Sequence, residues 1–216
     1  MEFDSDYIAA LRKEYQKAVL NPGDLPSHPA DAFKQWFDLA LQEQILEPNA
    51  MVLSTVNENR PSSRVVLLKE LSKAGVVFFT NYRSKKGQEL NKNPWACVNF
   101  FWPQLERQVR IEGMIEKISE AESERYFYSR PRLSQAGAIA SEQSAVIADR
   151  DELDRKMKEL IALPEEVILP KPEHWGGFRL IPDYFEFWQG RAGRVHDRIA
   201  YKLIGSENWE QFRLSP

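Results

Sequence analysis

The chain has one cysteine, Cys97, in 216 residues, which excludes an intramolecular disulfide and points to a reducing, cytoplasmic setting. Histidine is almost as scarce. His28, His174 and His196 are widely separated, no His-Glu-x-x-His pattern occurs, and no second cysteine exists, so no metal centre is expected. No apolar run approaches the ~20 residues that cross a bilayer, and the acidic start lacks the basic-then-apolar pattern of a secretory signal. Neither a Walker loop nor a Rossmann fingerprint stands at a strand-to-helix turn. A basic excess is also missing: 29 Lys and Arg against 32 Asp and Glu leave a net charge of -3, which disfavours a nucleic-acid partner. The basic residues gather locally instead, at Arg83, Lys85 and Lys86, at Arg125, Arg130 and Arg132, and at Arg191, Arg194 and Arg198. Small anionic ligands suit such short clusters.

What the chain does have is 43% hydrophobic content, enough for a sizeable core in one domain over 1–216. Ile8, Leu11, Tyr15 and Val19 fall at helical spacing over 6–19, and Asn21-Pro22-Gly23 is a stop signal, so residues 1–25 read as a helical arm. Asp31 is a candidate cap for a second helix whose apolar stripe is Phe33, Trp36, Phe37, Ala40 and Leu41. Apolar β-branched and aromatic runs at 50–56, 63–70, 75–80 and 95–102 predict strands, and 105–118 alternates with period two. Further strands are expected at 176–181, 184–189 and 196–203. Ser119 and Glu122 form a capping-box pattern ahead of a helix over 120–129, and Leu153, Met157, Leu160 and Ile161 stripe another near 150–162. The class is α+β with a barrel of about six or more strands.

The stretch from Phe185 to Arg198 runs Phe-Glu-Phe-Trp-Gln-Gly-Arg-Ala-Gly-Arg-Val-His-Asp-Arg, placing aromatics directly before three arginines. One reading makes Phe185 and Phe187 core residues and the arginines solvated loop positions. The other puts Trp188 beside a planar ring, with Arg194, His196 and Arg198 at alternate positions of a strand-like segment facing one site. Lys85 and Lys86 likewise suit a solvated helix start, and Tyr126–Arg130 a surface helix end.

That stretch resembles the signature of pyridoxamine/pyridoxine 5'-phosphate oxidases. Ser63–Lys69, Phe79-Thr80-Asn81, Ser84-Lys85-Lys86, Leu105–Val109, Tyr126–Arg132, Glu142-Gln143-Ser144, Trp175–Arg179 and Arg213–Pro216 extend the likeness in order over nearly the whole chain. The resemblance implies an FMN-binding split β-barrel with surrounding helices, forming a homodimer with FMN sites at the subunit interface. Carried over by motif, FMN contacts fall on Arg64, Val65, Lys69, Phe79, Thr80, Lys85, Lys86, Gln108, Gln143, Ser144, Trp188 and Arg198. The substrate phosphate falls to Lys69, Tyr126, Arg130 and Ser134, donor types that suit a dianion. Arg194 and His196 would flank the substrate ring at the reacting carbon. The implied reaction converts the phosphorylated amine or alcohol to pyridoxal 5'-phosphate, with O2 as acceptor. Lys85 departs from a frequent arginine and Phe79 from a frequent tyrosine. Arg12 and Tyr15 resemble positions that close over substrate in the family, although a packing helix is an equal reading. Another flavin-binding split-barrel oxidoreductase, or a non-catalytic pyridoxal-phosphate-binding dimer, are the competing hypotheses.

Overall fold

The computed structural model describes residues 5–11 and 14–216, so Arg12 lies outside the described residues. The described helices are α1 (Ser5–Ala10), α2 (Pro29–Gln42), α3 (Lys85–Lys92), α4 (Glu120–Ser129), α5 (Arg132–Ala140) and α6 (Arg150–Ala162). The strands are β1 (Ala50–Asn57), β2 (Arg60–Leu67), β3 (Glu70–Ser72), β4 (Gly75–Asn81), β5 (Trp95–Trp102), β6 (Arg107–Lys117), β7 (Trp175–Gln189), β8 (Asp197–Ile204) and β9 (Asn208–Leu214). They hydrogen-bond in the order β2-β1-β5-β6-β7-β4-β3, with β8 on β7 and β9 on β8. None of the described helices is long and apolar enough to cross a membrane. The chain divides into two compact units, Met1–Pro48 with Asn99–Arg110 and Tyr184–Pro216, and Asn49–Val98 with Ile111–Asp183.

In the first unit, α2 starts earlier than the sequence suggests. Pro29, which has no N–H to leave unpaired, begins the helix, and His28 Nδ1 accepts from Ala30 N–H at 3.2 Å; Asp31 sits in the first turn rather than capping it. Phe33, Trp36 and Ala40 are buried as expected, while Leu41 is 52% exposed and lies off the stripe. Phe33 packs edge-on against Phe100 at 4.8 Å, Trp36 against Phe187 at 5.2 Å, and Phe187 against Tyr201 at 5.7 Å.

The helix expected over 6–19 stops at Ala10. Its continuation finds other acceptors for its backbone donors: Glu106 Oε2 takes the N–H groups of Gln16 and Lys17 at 2.9 and 3.0 Å, and Asp197 Oδ2 takes that of Leu20 at 3.0 Å. Tyr15 lies edge-on to Trp188 at 5.6 Å. It packs so close to Gly190 that a Cβ there would stand 2.7 Å from the tyrosine Cγ.

In the second unit β4 is the most buried strand, pairing Val76 with Leu180, Phe78 with Phe178 and Phe79 with Gly177 on β7. The two strands expected at 176–181 and 184–189 are one, β7. Pro182 lies between two of its ladders, the one to β4 ending at Leu180 and the one to β8 beginning at Tyr184. The run at 63–70 separates into β2 and the short β3. The Ser119–Glu122 capping box is present, with reciprocal bonds of 3.2 and 3.0 Å. On α6 the expected stripe is shallow, since Leu153, Met157 and Leu160 are half-buried and Ile161 is exposed.

Candidate functional site

A cavity of about 630 Å³ in the second unit gathers much of the assigned site. Its lining includes Val65 at the outward edge of β2, Lys69, Phe79 and Thr80 of β4, Lys86 of α3, Tyr126 and Arg130 at the end of α4, Ser134 of α5, and Gln143. Trp175, at the start of β7, lines it too, although its residue type was noted in sequence only as part of a motif.

Two kinds of surface meet in this cavity. The first is polar: Lys86 Nζ donates to Thr80 Oγ1 at 3.1 Å and to Gln143 Oε1 at 3.0 Å, and Thr80 Oγ1 donates to the same Gln143 oxygen at 3.0 Å. Ser84 caps α3, and Lys86, the second residue of that helix, is only 8% exposed. Burial, and then the Arg64 charge, push the Lys86 ammonium below its ordinary pKa, against an opposing pull from Glu89. The second surface is aromatic. Phe79 stacks on Tyr126 at 3.9 Å and on Trp175 at 5.4 Å, and the Arg130 guanidinium lies over the Trp175 ring at 4.7 Å. Arg130 Nη1 is buried without a hydrogen-bond partner, and burial lowers its pKa. Flat apolar faces beside the Lys86 and Arg130 cations suit a planar ligand that carries an anion.

Lys85 and Ser144 line a second cavity of this unit, about 660 Å³, together with Arg83 and His174. Burial first, then Arg83 and Lys171, lower the His174 pKa.

Arg64, expected among the FMN contacts, has several partners within the protein. Its guanidinium donates to Thr55 Oγ1 and Ser62 Oγ, both at 2.6 Å, to the Leu53 and Ser62 carbonyls, and to Glu89 Oε2 at 2.9 Å. Glu89, 5% exposed, also accepts from Thr55 at 2.6 Å and from Ser62 at 2.8 Å, and pairs with Lys85 at 3.4 Å. Burial alone would raise this carboxyl, but the hydrogen bonds from Thr55, Ser62, Lys85 and Arg64 hold it at about 2. Sequence reasoning did not single out Thr55, Ser62 or Glu89. The available signal was the i,i+4 spacing of Lys85 and Glu89 and the small hydroxyl residues of two adjacent strands.

The remaining assigned residues lie in the first unit. Gln108, on β6, is half-exposed. Arg194 and His196 line a cavity of about 470 Å³ with Tyr15 and Arg191. His196 sits 4.6 Å from Trp188, and its Nδ1 accepts from Arg191 N–H at 3.1 Å. Burial and the Arg194 charge lower its pKa, which favours the uncharged imidazole. The expectation that Arg194, His196 and Arg198 alternate along one strand is not met: β8 begins at Asp197, and Gly193 and Arg194 form a turn with φ of 64° and 62°. Arg198 turns instead to Glu186, with contacts of 2.8 and 3.1 Å, and to the Ser215 carbonyl at 2.9 Å. Arg110 completes the bracket on Glu186 at 2.7 Å. Burial works against ionisation of Glu186, yet the Arg198 and Arg110 charges lower its pKa.

Comparison with known proteins gives a consistent picture. Residues 37–163 match the family model described as pyridoxamine 5'-phosphate oxidase, and residues 175–216 match the pyridoxine 5'-phosphate oxidase C-terminal dimerisation region. A pyridoxine/pyridoxamine 5'-phosphate oxidase of Trichormus variabilis is 50% identical over 210 residues, covering 97% of this chain and 98% of its own length. One from Herminiimonas arsenicoxydans is 51% identical over 97% of this chain and 99% of its own. Among solved structures, PhzG from Burkholderia lata, in complex with tetrahydrophenazine-1-carboxylic acid, superposes with a TM-score of 0.88 at 32% identity, covering 94% of this chain and all of that one. A pyridoxamine 5'-phosphate oxidase-related, FMN-binding protein from Nostoc punctiforme, 16% identical, shares the fold with a TM-score of 0.68 over 85% of this chain and 97% of that one. The mixed helix and antiparallel sheet is the split-barrel fold expected from the sequence.

Proposed function

The chain belongs to the pyridoxamine 5'-phosphate oxidase family, and from that premise we propose that it oxidises pyridoxamine 5'-phosphate and pyridoxine 5'-phosphate to pyridoxal 5'-phosphate with FMN as cofactor. The amine, water and O2 give the aldehyde, ammonia and hydrogen peroxide; the alcohol and O2 give the aldehyde and hydrogen peroxide. The observation that carries this reading is the cavity in which Lys69, Tyr126, Arg130 and Ser134 share one lining with Thr80, Lys86 and Gln143. Arg130 brings a fork with an unpartnered buried donor, Lys69 a point charge, and Tyr126 and Ser134 directional hydroxyls, together a fit for a phosphate monoester.

The residues present also fit a flavin. Lys86, a buried cation already oriented by Thr80 and Gln143, offers charge and hydrogen bonds to polar atoms of the cofactor. FMN, when bound, accepts the two electrons lost by the substrate carbon and passes them to O2. The protein's share is to bind, orient and exclude water. Arg194 and His196, lining their own cavity in the first unit, complete the site from a second copy of the chain, consistent with a C-terminal segment that matches a dimerisation region. His196, held by the Arg191 N–H, orients the substrate ring and is not an obligatory base.

Anaerobic stopped-flow mixing of the FMN-loaded protein with each phosphorylated vitamer tests the reading. Loss of the flavin's visible absorbance is the expected result. Bound flavin that stays oxidised with both would overturn it. The likeness to PhzG keeps a second reading in view, a split-barrel oxidoreductase with another substrate, which would turn over without dependence on a substrate phosphate.

A further inference from the structure

The setting of Arg130 differs from that of Arg64 in the same unit. Arg64 is held by the Glu89 carboxylate at 2.9 Å and by two hydroxyls, an arrangement that fixes its geometry but offsets its charge and takes up its donors. Arg130 Nη1 is buried and has no hydrogen-bond partner. What faces its guanidinium is the indole of Trp175, 4.7 Å from Cζ to the ring centroid, with the Phe127 ring farther off at 5.9 Å. An aromatic face attracts a cation through its quadrupole and consumes none of the N–H groups at the guanidinium edge.

The indole is itself immobilised. Trp175 is 6% exposed, pairs with Asn81 across the β4–β7 ladder, donates its backbone N–H to the Pro172 carbonyl at 3.0 Å, and accepts on its backbone carbonyl from the buried Lys171 Nζ at 3.1 Å. Its ring stacks on Phe79 with 16° between planes and meets Phe127 edge-on at 5.2 Å.

We propose that Trp175 is a positioning residue for the substrate phosphate: its indole orients the Arg130 guanidinium while leaving both charge and donors available to a phosphate monoester. A carboxylate in the same place would orient the arginine equally well and weaken anion binding. The identity of the substrate rests on the function proposed above; the anion-holding role does not, and inorganic phosphate probes it directly.

The test compares FMN-loaded wild type, Trp175→Leu and Trp175→Phe. Calorimetric titration with inorganic phosphate gives affinity for the anion alone, and steady-state kinetics compare pyridoxamine 5'-phosphate with unphosphorylated pyridoxamine. Trp175→Leu should raise both the phosphate Kd and the KM for the phosphorylated amine by about 2- to 30-fold, the span of a desolvated cation–π contact. Unphosphorylated pyridoxamine, which presents no phosphate to the Arg130 guanidinium, should lose less in kcat/KM than the phosphorylated amine, a split that general loosening of the fold would not produce. Trp175→Phe, which keeps an aromatic face, should fall between. An unchanged phosphate Kd in Trp175→Leu, or equal losses for both amines, overturns the proposal. If Trp175→Leu does not fold, Trp175→Phe is combined with Arg130→Lys, and strictly multiplicative effects on phosphate Kd overturn it instead. A wild type that binds phosphate but oxidises neither vitamer defeats the proposed function while leaving the Trp175 comparison decisive.

Discussion

Replacing Glu89 by glutamine isolates the charge of the carboxylate that holds Arg64. The amide keeps the shape and one acceptor oxygen but not the charge that the hydroxyls of Thr55 and Ser62, and then Lys85 at 3.4 Å and Arg64 at 2.9 Å, stabilise. Lowering the carboxyl from 4.5 to about 2 corresponds to about 3 kcal/mol of folded-state preference for the ionised form. That is an upper bound, because Lys85 is solvent-exposed and screened. At pH 7 the variant should therefore lose about 2 kcal/mol in urea denaturation. The folded pKa lies below the unfolded one, so the contribution is complete above about pH 4.5 and disappears as pH falls toward 2. At pH 4 the wild type has already forfeited about 0.8 kcal/mol of it, and glutamine, which does not titrate, has forfeited none. Every other group titrates alike in both proteins and cancels in the difference. With protein concentration held fixed, the gap between wild type and variant should narrow by about 0.8 kcal/mol from pH 7 to pH 4. A gap that is unchanged or wider at pH 4 refutes the claim that its hydrogen bonds depress this carboxyl.

Arg130→Lys keeps the charge but loses the fork, and should raise the KM for pyridoxamine 5'-phosphate about 10-fold with little effect on unphosphorylated pyridoxamine, measured by peroxide release. Lys86→Met removes the buried ammonium bonded to Thr80 and Gln143 and should weaken FMN binding by about 10-fold or more, read from flavin fluorescence quenching; unaltered affinity would move the cofactor away from this cavity. Gly113→Ala should destabilise by about 2 kcal/mol or more in thermal unfolding, since its Cβ would stand 2.0 Å from the Ile181 carbonyl oxygen and backbone, unlike a side chain, cannot rotate away.

Most strands were legible because their signal is local. The Val-Val-Phe-Phe run of β4 and the alternation of β6 carry their burial in residue type alone. The helices α3 and α5 were not, for a physical reason: Lys85–Lys92 contains a single large apolar residue, Leu90, and Arg132–Ala140 buries only Ala136 and Ala140. Helices that expose one face of lysine and glutamine, or pack through small side chains, leave almost no periodic hydrophobic trace. The arm failed in the opposite sense. Its apolar spacing was helical, yet Glu106 and Asp197, distant in sequence, offered its backbone donors better acceptors than the next turn.

The site divides along the same line. Residue types that suit phosphate and flavin were readable, and many of them do share one lining. What a linear motif could not carry is the partner of each arginine. Arg64 and Arg198 stood in the motifs on the same footing as Arg130, yet the first two face Glu89 and Glu186, respectively 25 and 12 residues away in the chain, and the third faces Trp175. A guanidinium bonded to a buried carboxylate has most of its field offset before any ligand arrives, and acts first as a brace for neighbouring strands. One resting on an indole keeps that field, together with a donor that burial has already stripped of water. What lies against each guanidinium therefore sets Arg130 apart from Arg64 and Arg198, and only the fold decides it.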